Sequence, residues 1–387
     1  MGTFAVSRLA HCEVMDAPAE AQVDLGVVRD NVTGLLKHVG GTELMAVVKS
    51  DAYGHGMVPV AKAALAGGAG WLGVIRAHEA LALREAGLTA PVLCLMSVPG
   101  GPHEDAIRRD VDLAVSSTGM VAELSAAAQR AGRPARVHLK VDTGMSRGGA
   151  TMPDWPGVVA AALAAQADGH LVIVGIWSHL ACADMPGHAS IDAQLSVFHE
   201  ALAIAGQAGA RPEIRHLANT PATLTLPQAR FDMVRCGGGV VGLPTLPGPM
   251  PGWLRPAMTV RARLVQVKQV PPGAGVSYGH RYFTSSQSTL GLVPLGYAEG
   301  VPRDASGLVQ VYARGRRWFI AGTVSMNQFV MDFGAEPAQE GDEVLLFGPG
   351  DDGEPTAQDW AEALGTISYE IATRFGGRLL RSYLGVA

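Results

Sequence analysis

The sequence predicts a (β/α)₈ barrel of the TIM type followed by a mainly-β domain, and three observations lead to this fold class. Short, continuously apolar runs recur between residues 43 and 235, as in parallel strands that are covered on both faces. Stretches rich in Ala and Leu with helical periodicity alternate with these runs. Beyond residue 250 the chain changes to strand-like runs separated by turns rich in Gly and Pro. We therefore expect an N-terminal extension over residues 1–20, a barrel over 21–250 and the mainly-β domain over 251–387.

Eight apolar runs fill the barrel region, which is the number of strands that such a barrel requires. The predicted strands are Glu43–Lys49, Trp71–Ile75, Pro91–Met96, Val111–Val115, Arg136–Val141, Leu171–Ser178, Glu213–Leu217 and Asp232–Arg235. Helix-period stretches between them include Val58–Ala66, His78–Ala86 and Met120–Ala131. A doubly wound open sheet is the alternative, but no GxGxxG follows the first strand.

The second domain begins after Gly242–Pro256, a stretch dense in Gly and Pro that is typical of a linker. Its predicted strands are Val260–Val270, Gly291–Leu295, Leu308–Ala313, Phe319–Val324 and Glu343–Phe347. An amphipathic helix over Thr356–Leu364 and a final segment over Ile367–Leu380 complete the domain.

Composition and charge narrow the class of partner. The chain has 387 residues, 48% of them hydrophobic, and a net charge of −5. Its Lys and Arg residues are spread along the chain, whereas a nucleic-acid-binding surface needs them clustered. No apolar run is long enough to span a bilayer, and Met1–Arg8 lacks the apolar core of a signal peptide. These features predict a cytoplasmic protein that binds a small molecule rather than nucleic acid or a membrane.

The cysteines are widely separated and form no CxxC pair; they are Cys12, Cys94, Cys182 and Cys236. In a chain of this length such spacing indicates reduced thiols rather than a disulfide framework. Cys94 lies inside an apolar run and is expected to be buried. No metal site is predicted.

The first predicted strand ends at Lys49, and the loop Ser50–Gly56 follows it. In a barrel of this kind, catalytic groups lie at the carboxyl ends of the strands. Burial at such an end lowers the pKa of a lysine and makes its neutral amine available as a nucleophile. A lysine that merely extends its charged end into solvent is the alternative. The two glycines of the loop, which permit close backbone approach to a ligand, and the hydroxyl of Tyr53 favour a binding site.

Further polar residues follow the later strands. Lys140 and Asp142 share one face of the fifth strand and Arg147 follows in a glycine-bounded loop, an arrangement that suits either an anionic ligand or a surface salt bridge. Gly237–Gly239 offers bare backbone amides of the kind that bind phosphate. The polar residues that end the sixth, seventh and eighth strands are His179, Asn219, Thr220 and Arg235. A single histidine at a strand end is commonly structural, but several polar ends that converge on one barrel mouth favour a functional site.

The stretch Val48–Gly56, with the sequence VKSDAYGHG, resembles the cofactor-lysine motif of the alanine racemase family. Five later stretches are similar to further motifs of that family, in the same order: Leu139–Arg147, Phe231–Gly237, Val276–Gly279, Gly296–Gly300 and Gly365–Ile371. The resemblance covers residues 20–385, almost the whole chain. It implies an N-terminal barrel that binds pyridoxal 5′-phosphate and a C-terminal β domain, in agreement with the fold predicted above.

The resemblance also implies an amino-acid racemase that interconverts L- and D-alanine with two bases. Lys49 would carry pyridoxal 5′-phosphate as a Schiff base and act as one base. Tyr278 would be the other base, reaching the opposite face of the substrate from the partner subunit of a homodimer. Two bases are needed because a proton removed from one face must be returned to the other. A phenol ionises near pH 10 in water, so a tyrosine base requires nearby positive charge or hydrogen bonds.

Other residues take their expected roles from the resemblance. Arg235 would face the pyridine nitrogen, and because an arginine keeps its proton, that nitrogen would stay unprotonated, which favours reprotonation over transamination. His179 would lie beside the cofactor ring, and Lys140 matches a position that is carbamylated in some members. The remaining cofactor-binding residues would be Tyr53, Asn219, Thr220, Gly237, Gly238 and Tyr369. The substrate-binding residues would be Arg147, Tyr297, Met326 and Asn327.

Two segments depart from the family pattern. Thr323 and Asn327 stand where the family usually has Arg and Asp, beside the substrate carboxylate and side-chain pocket. Gly237–Gly242 replaces a more apolar run that usually includes a tyrosine. Because an apolar pocket discriminates one hydroxyl or methylene by only about 1–3 kcal/mol, serine or another small amino acid is the alternative substrate.

Two other functions belong to proteins of related fold. A non-catalytic carrier of pyridoxal 5′-phosphate consists of the barrel alone, whereas this chain has a β domain that bears Tyr278. An amino-acid decarboxylase would need a catalytic cysteine in the second domain, and all four cysteines precede residue 237.

Overall fold

The computed structural model describes residues 18–385, so the predictions made for Met1–Arg8 and Cys12 lie outside the described residues. Residues 24–257, with residue 385, form one compact unit, and residues 18–23 with 258–384 form the other. We call the first the barrel unit and the second the sheet unit. The short strand β1 (Ala19–Asp24) opens the described chain and contributes to the sheet unit.

The barrel unit contains eight parallel strands in the order predicted from the sequence. They are β2 (Glu43–Val47), β3 (Trp71–Val74), β4 (Val92–Cys94), β5 (Val111–Val115), β6 (Ala135–Lys140), β7 (Leu171–Trp177), β8 (Ile214–His216) and β9 (Met233–Cys236). The hydrogen-bonded order runs from β8 down to β2 and then to β9. The Asp232 amide donates to the Arg215 carbonyl (3.0 Å) and the Arg235 amide to the Ala218 carbonyl (2.9 Å), which joins β9 to the chain around β8. The predicted barrel is therefore confirmed, and the open-sheet alternative is not.

Helices follow the strands and cover the barrel. They are α1 (Leu25–Val39), α2 (Lys49–Tyr53), α3 (Met57–Ala66), α4 (Ala77–Glu85), α5 (His103–Arg108), α6 (Thr118–Ala131), α7 (Trp155–Ala167), α8 (Ala189–Gln207) and α9 (Thr220–Thr225). In α1, the Asp24 carboxylate caps the amides of Gly26 and Val27, and Gly40 ends the helix in the left-handed conformation that glycine adopts readily. Val28, Val32 and Leu35 are fully buried, which is the spacing expected of one helix face.

The predicted first strand, Glu43–Lys49, is too long at its carboxyl end. Strand β2 ends at Val47, and Lys49 begins α2 instead of ending a strand. The reason is the backbone of Ser50–Tyr53, which takes positive φ and cannot continue a strand. Lys49 still follows the carboxyl end of β2, so the prediction that it lies at the barrel mouth holds.

The sheet unit is mainly β, as predicted. Its elements are β10 (Met258–Arg263), β11 (Gln266–Val270), β12 (Gly275–Val276), β13 (Tyr282–Phe283), β14 (Ser288–Val293), β15 (Gln310–Ala313), β16 (Arg316–Ala321), β17 (Phe329–Asp332), β18 (Glu343–Phe347), α10 (Ala357–Leu364), α11 (Ser368–Arg374) and β19 (Leu380–Leu384). Nine strands form one sheet in the order β11-β14-β17-β16-β15-β18-β10-β1-β19, and β12 and β13 form a separate pair.

The single strand predicted over Val260–Val270 is wrong, because the chain there forms both β10 and β11. The break lies at Leu264 and Val265, whose amides donate to the Asp342 and Leu292 carbonyls, so the chain changes neighbours at this point. The final segment Ile367–Leu380 also divides, into α11 and the beginning of β19. An apolar pattern locates such segments but does not reveal a change of hydrogen-bonding partner.

Within residues 18–385, no helix combines the length and the apolar character needed to cross a bilayer.

Candidate active site at the barrel mouth

Lys49 is presented by a strained backbone turn. The four residues after it, Ser50–Tyr53, have φ between 51° and 56°, and none of them is glycine. A left-handed conformation costs about 1–2 kcal/mol per non-glycine residue. The turn is held by the Gly56 amide, which donates to the Asp51 carbonyl (2.9 Å), and by the Met57 amide, which donates to the Asp51 carboxylate (2.7 Å). Strain retained at one such place is typical of a functional site.

Glu79 fastens this turn to the neighbouring strand end. Its carboxylate accepts hydrogen bonds from the amides of Ser50 (2.8 Å), Ile75 (2.8 Å) and Arg76 (3.2 Å). The residue was not predicted from the sequence, where it appears only as an acidic residue in the first turn of a helix. Its position in the capping box of α4 explains why its carboxylate faces the barrel mouth.

The Lys49 amine lies in an environment that favours its neutral form. Burial lowers the pKa of Lys49, and the nearby Arg147 guanidinium lowers it further, while the Glu79 carboxylate acts in the opposite direction. The amine lies 6.0 Å from the centre of the Tyr53 ring. A lysine with a lowered pKa at a barrel mouth can act as a nucleophile and as a base.

Lys140 ends β6 in the same cluster of cations. Burial, with the charges of Arg235, Arg147 and Lys49, lowers the pKa of Lys140 to about 8, while Asp142 opposes this shift. Its amine lies 4.6 Å from the centre of the Trp177 ring. The guanidinium carbon of Arg235 lies 4.8 Å from the same ring centre, so one indole stabilises two cations through its π-face.

Arg235 is only 4% exposed, and its hydrogen bonds go to neutral acceptors. Its Nη2 donates to the carbonyls of Ser178 (2.8 Å) and Leu217 (3.1 Å) and to His179 Nδ1 (3.2 Å), and its Nη1 donates to His216 Nδ1 (3.2 Å). Burial lowers the pKa of Arg235 to about 9, so the guanidinium keeps its charge at neutral pH.

His179 is held as a neutral ring. Burial, together with Arg235, Arg147, Lys140 and Lys49, lowers the pKa of His179 to about 3. Because its Nδ1 accepts the hydrogen bond from Arg235, the proton of the neutral ring lies on Nε2. A neutral imidazole in this place is suited to contact with a flat ring rather than to proton donation.

The residues predicted to hold a phosphate meet at the ends of β8 and β9. Thr220 Oγ1 accepts hydrogen bonds from the amides of Gly237 (3.2 Å) and Gly239 (3.3 Å). A Cβ atom on Gly237 would lie 2.0 Å from the Tyr53 hydroxyl oxygen, so glycine is required there. Gly239 belongs to the run Gly237–Gly239 that the sequence singled out, although the family resemblance named only Gly237 and Gly238. Gly238 lies between these two amides and accepts, through its carbonyl, from the Leu243 amide (2.9 Å).

Two further predicted residues, Asn219 and Arg147, lie at a helix cap and after a hydrogen-bonded turn. The Asn219 side chain caps α9 by accepting from the Ala222 amide (3.2 Å). Arg147 is exposed and follows a turn in which the Asp142 carboxylate accepts from the amides of Gly144 (2.9 Å), Met145 (3.0 Å) and Ser146 (3.2 Å). The Asp142 turn thus determines where the Arg147 guanidinium can reach.

Tyr278 belongs to the sheet unit and is 74% exposed. Its loop is strained, because Ser277 and His280 have φ of 60° and 41°. The buried Thr323 stabilises the loop: its hydroxyl donates to the Tyr278 carbonyl (2.8 Å), and its own carbonyl accepts from the Ser277 hydroxyl. With Lys268, Tyr278 lines a cleft of about 480 Å³ in the sheet unit.

The other predicted residues of the sheet unit lie on two loops and one helix. The Tyr297 amide donates to the Ser325 carbonyl (3.1 Å), and both Tyr297 and Met326 are exposed. The Asn327 amide group donates to Glu299 (2.7 Å), a carboxylate that an aspartate at this position would repel. Asparagine, which replaces the aspartate usual in the family, is therefore the residue that suits the neighbouring Glu299. Tyr369 lies on α11.

The residues of the barrel mouth fit pyridoxal 5′-phosphate by charge and by space. Three cations, Arg235, Arg147 and Lys49, lower the pKa of Lys140 or Lys49, and Asp142 and Glu79 act in the opposite direction. Such an excess of positive charge suits an anionic ligand. The glycine amides and the Thr220 hydroxyl are groups that bind phosphate. Among residues 18–385, no hydrogen bond engages Arg235 Nε, which leaves one donor of this buried side chain for a ring nitrogen.

No three His, Cys, Asp or Glu side chains in the described part of the chain are grouped so that they could hold a metal ion.

Comparisons with known proteins point to one family. The family model for the alanine racemase N-terminal domain matches residues 23–245, and that for the C-terminal domain matches residues 257–383. An alanine racemase of Salinispora arenicola is 56% identical over 368 residues, covering 95% of this chain and 98% of that relative. One of Thermobifida fusca is 52% identical over 372 residues, with 96% and 99% covered. The crystal structure of an alanine racemase from a D-cycloserine-producing Streptomyces lavendulae is similar with a TM-score of 0.93 at 50% identity, covering 96% of this chain and 98% of that one.

The charges around Lys49 predict opposite effects of two substitutions. Arg147→Gln removes a cation that lowers the pKa of Lys49, so the midpoint pH for modification of the amine should rise. Glu79→Gln removes a carboxylate that raises this pKa, so the midpoint should fall. We would measure acylation of Lys49 in the apoprotein by peptide mass mapping as a function of pH.

Modification of the exposed Lys62 in the same samples serves as the control and should not change. Midpoints that move in the same direction in both variants would contradict the electrostatic account.

Proposed function

This chain belongs to the alanine racemase family, and on that basis we propose that it interconverts L- and D-alanine with pyridoxal 5′-phosphate bound at the mouth of the barrel unit. The observation that carries the proposal is Lys49, an amine with a lowered pKa on a strained turn, in a cluster of cations with Lys140, Arg147 and Arg235. The family match extends through the sheet unit to residue 383, which argues against a carrier that consists of the barrel alone.

Removal of the α-proton requires an electron-withdrawing group. When it is bound, pyridoxal 5′-phosphate supplies this group and withdraws electrons from the substrate α-carbon. Lys49 would hold the cofactor covalently, while Tyr53, Thr220, Gly237 and Gly238 would bind its phosphate. Asn219 and Tyr369 would complete the set of cofactor-binding residues, and His179 would lie against the ring as a neutral imidazole. Because the pKa of Lys49 is lowered, its amine would be suited to take a proton at the substrate α-carbon.

Arg235 would donate a hydrogen bond to the cofactor ring nitrogen without giving up its proton, because its pKa of about 9 lies above neutral pH. By holding the ring nitrogen with a hydrogen bond and keeping its own proton, Arg235 would favour return of the proton to the α-carbon over transamination.

Tyr278 would be the second base. Racemisation moves a proton from one face of the substrate to the other, and Lys49 serves one face only. The strained loop held by Thr323 fixes the backbone at Tyr278, whose side chain is highly exposed. The substrate carboxylate would bind Arg147, and Tyr297, Met326 and Asn327 would line the approach to the site.

We propose a homodimer in which Tyr278 of one protomer completes the site of the other. This is supported by the high exposure of Tyr278 and by its location in a different compact unit from Lys49. A cytoplasmic role in supplying D-alanine is part of the same proposal, and it is consistent with Cys94, Cys182 and Cys236 being free thiols.

Lys140 is proposed to be carbamylated. Its pKa of about 8 leaves a substantial neutral fraction of the amine near pH 8, and only a neutral amine reacts with carbon dioxide. The reaction forms a nitrogen–carbon bond, releases one proton and places a carboxylate in the cation cluster beside Arg147. That carboxylate would offset the excess of positive charge described above.

The proposed activity predicts racemisation of L-alanine by the purified holoenzyme and a defined defect in Tyr278→Phe. With the phenol removed, α-proton exchange in deuterium oxide should persist for one enantiomer of alanine and be lost for the other, because Lys49 still serves one face. NMR of both enantiomers measures this exchange. Tyr312→Phe, in which a tyrosine on β15 is changed in the same way, should behave like the wild type.

Absence of racemisation with alanine, serine and other small amino acids would overturn the proposal. Racemisation of serine in preference to alanine would support the proposed racemase activity but show that serine is the substrate.

The shared site predicts complementation between two inactive variants. Lys49→Ala and Tyr278→Phe each lack one base, but a hybrid dimer contains one site with both. After subunit exchange of equal amounts, about a quarter of the sites should be intact, because half of the dimers are hybrids with one good site of two. Activity is assayed before and after mixing, and exchange is verified with differently tagged protomers. Hybrids that form without recovery of activity would show that Tyr278 acts within its own protomer, or not at all.

Carbamylation of Lys140 should increase as the pH rises through about 8, since protonation of the amine below that pH prevents the reaction. We would follow it by ¹³C NMR after addition of labelled bicarbonate. The signal should disappear in Lys140→Arg. A signal that survives this substitution would belong to another lysine.

A further inference from the structure

A line of buried hydrogen bonds crosses the barrel core and ends on Arg235. From Arg235 Nη1 the first bond reaches His216 Nδ1 (3.2 Å), and His216 Nε2 lies 2.9 Å from His138 Nδ1. His138 Nε2 lies 3.2 Å from Asp112 Oδ2, and Arg136 Nε donates to Asp112 Oδ1 (2.9 Å). Both histidines are fully buried and Asp112 is nearly so.

The two ends of this line decide the direction of every hydrogen bond in it. A guanidinium only donates, so His216 Nδ1 must accept and the His216 proton lies on Nε2. That proton is donated to His138 Nδ1, which puts the His138 proton on Nε2. An ionised carboxylate only accepts, so Asp112 receives the last bond. The donor at one end and the acceptor at the other therefore require the same tautomer of both rings.

The hydrogen-bond partners leave room for one proton on each ring, and burial favours the neutral form of His216. Burial lowers the pKa of His216 well below its usual value, and the charge of Arg235 lowers it further. At the other end, Arg136 neutralises Asp112, so the carboxylate does not need a charged histidine as its partner. An additional proton on either ring would set two donors against each other, either between the rings or between His216 and Arg235.

The strands are built to admit these rings. A Cβ atom at Gly175 would lie 2.3 Å from His138 Nδ1, so glycine in the middle of β7 makes room for the imidazole. Trp177 stacks on His216 with an angle of 5° between the rings, and Trp71 meets His138 edge-on. The ring planes are thus held by packing as well as by hydrogen bonds.

We propose that Asp112 and His138 are positioning residues that act through His216 to hold Arg235 as a fixed hydrogen-bond donor at the barrel mouth. Neither residue reaches the mouth itself. Their role is to keep the His216 proton on Nε2, so that His216 Nδ1 can accept the hydrogen bond from Arg235. The significance of Arg235 for the reaction rests on the proposed function, but the direction of the hydrogen bonds does not.

The direction of the hydrogen bonds can be tested in the wild-type apoprotein without an assay of activity. Long-range ¹H–¹⁵N correlations of ¹⁵N-histidine-labelled protein distinguish a protonated from an unprotonated ring nitrogen, and His138→Gln and His216→Gln assign the two signals. We expect each ring to carry its proton on Nε2, and the His216 ring to remain neutral from about pH 6 to pH 9, across the range in which an ordinary histidine titrates. A proton on Nδ1 of either ring, or titration of His216 within this range, would overturn the proposal.

Asp112→Asn should reverse the line. Arg136 still needs an acceptor and takes the amide oxygen, which turns the new NH₂ group toward His138 Nε2. A donor at this end requires the proton of both rings on Nδ1, which competes with the need of Arg235 for an acceptor at His216 Nδ1. We expect the bond between Arg235 and His216 to be the one lost, because Arg235 keeps the Ser178 and Leu217 carbonyls as acceptors. Asp232→Asn is the matched control, because Asp232 also pairs with an arginine of the barrel unit, Arg215 (2.7 Å), but has no link to Arg235. Unchanged tautomers in folded Asp112→Asn protein would refute the proposal.

The holoenzyme provides a second measurement. Asp112→Asn should lower kcat for alanine about tenfold, the effect of one lost hydrogen bond to a charged group, with little change in KM. The pH dependence of cofactor absorbance should shift in Asp112→Asn and not in Asp232→Asn. If the tautomers reverse while kcat and the absorbance stay unchanged, Arg235 does not act as proposed and the inference fails. If no racemase activity exists in the wild type, the tautomer result still decides the direction of the line.

Discussion

The excess of positive charge at the barrel mouth is the constraint on which the rest of the site depends. Arg147 lowers the pKa of Lys49, and Arg235, Arg147 and Lys49 lower that of Lys140, while Glu79 and Asp142 act in the opposite direction. Burial and, after it, these charges lower the pKa of Lys140 to about 8 and that of His179 to about 3, and both favour the neutral Lys49 amine. Positive charge that few carboxylates offset favours the binding of an anion. The same feature therefore accounts for the reactivity of the lysines and for the affinity expected toward a phosphorylated cofactor.

Both proposed bases are presented by strained backbone rather than by regular structure. Ser50–Tyr53 follow Lys49 in the left-handed region, and Ser277 and His280 flank Tyr278 with positive φ. Each loop is held by contacts from a neighbouring element, through Glu79 in the first case and Thr323 in the second. Thr323 stands where the family usually has an arginine, so this chain supports its tyrosine loop with a hydroxyl. Strain of this type persists only where the surroundings enforce it.

The line of hydrogen bonds from Asp112 to Arg235 supports the site from within the barrel core, in addition to the two strained loops. Buried polar groups are expensive unless every donor meets an acceptor. Here the requirement is met by a single arrangement of protons, which makes the line rigid. Its end point, Arg235, is the residue that we propose to favour racemisation over transamination. A core that could have been apolar is thus used to orient a residue of the site.

The sequence by itself determined the barrel, the mainly-β second unit and the place of Lys49 after the first barrel strand. Continuous apolar runs and helical periodicity are local signals, and here they agree with the tertiary structure. Motif resemblance supplied the site residues, including Tyr278 in the sheet unit. The division of Val260–Val270 into β10 and β11 was beyond sequence reasoning, because it depends on a change of pairing partner. Only the tertiary structure revealed that Glu79, Trp177 and His216 contact residues of the proposed site, and that His138 supports His216 from the barrel core. Their roles arise from hydrogen bonds and ring contacts between residues that lie far apart in the sequence, and no local pattern records which of them will meet.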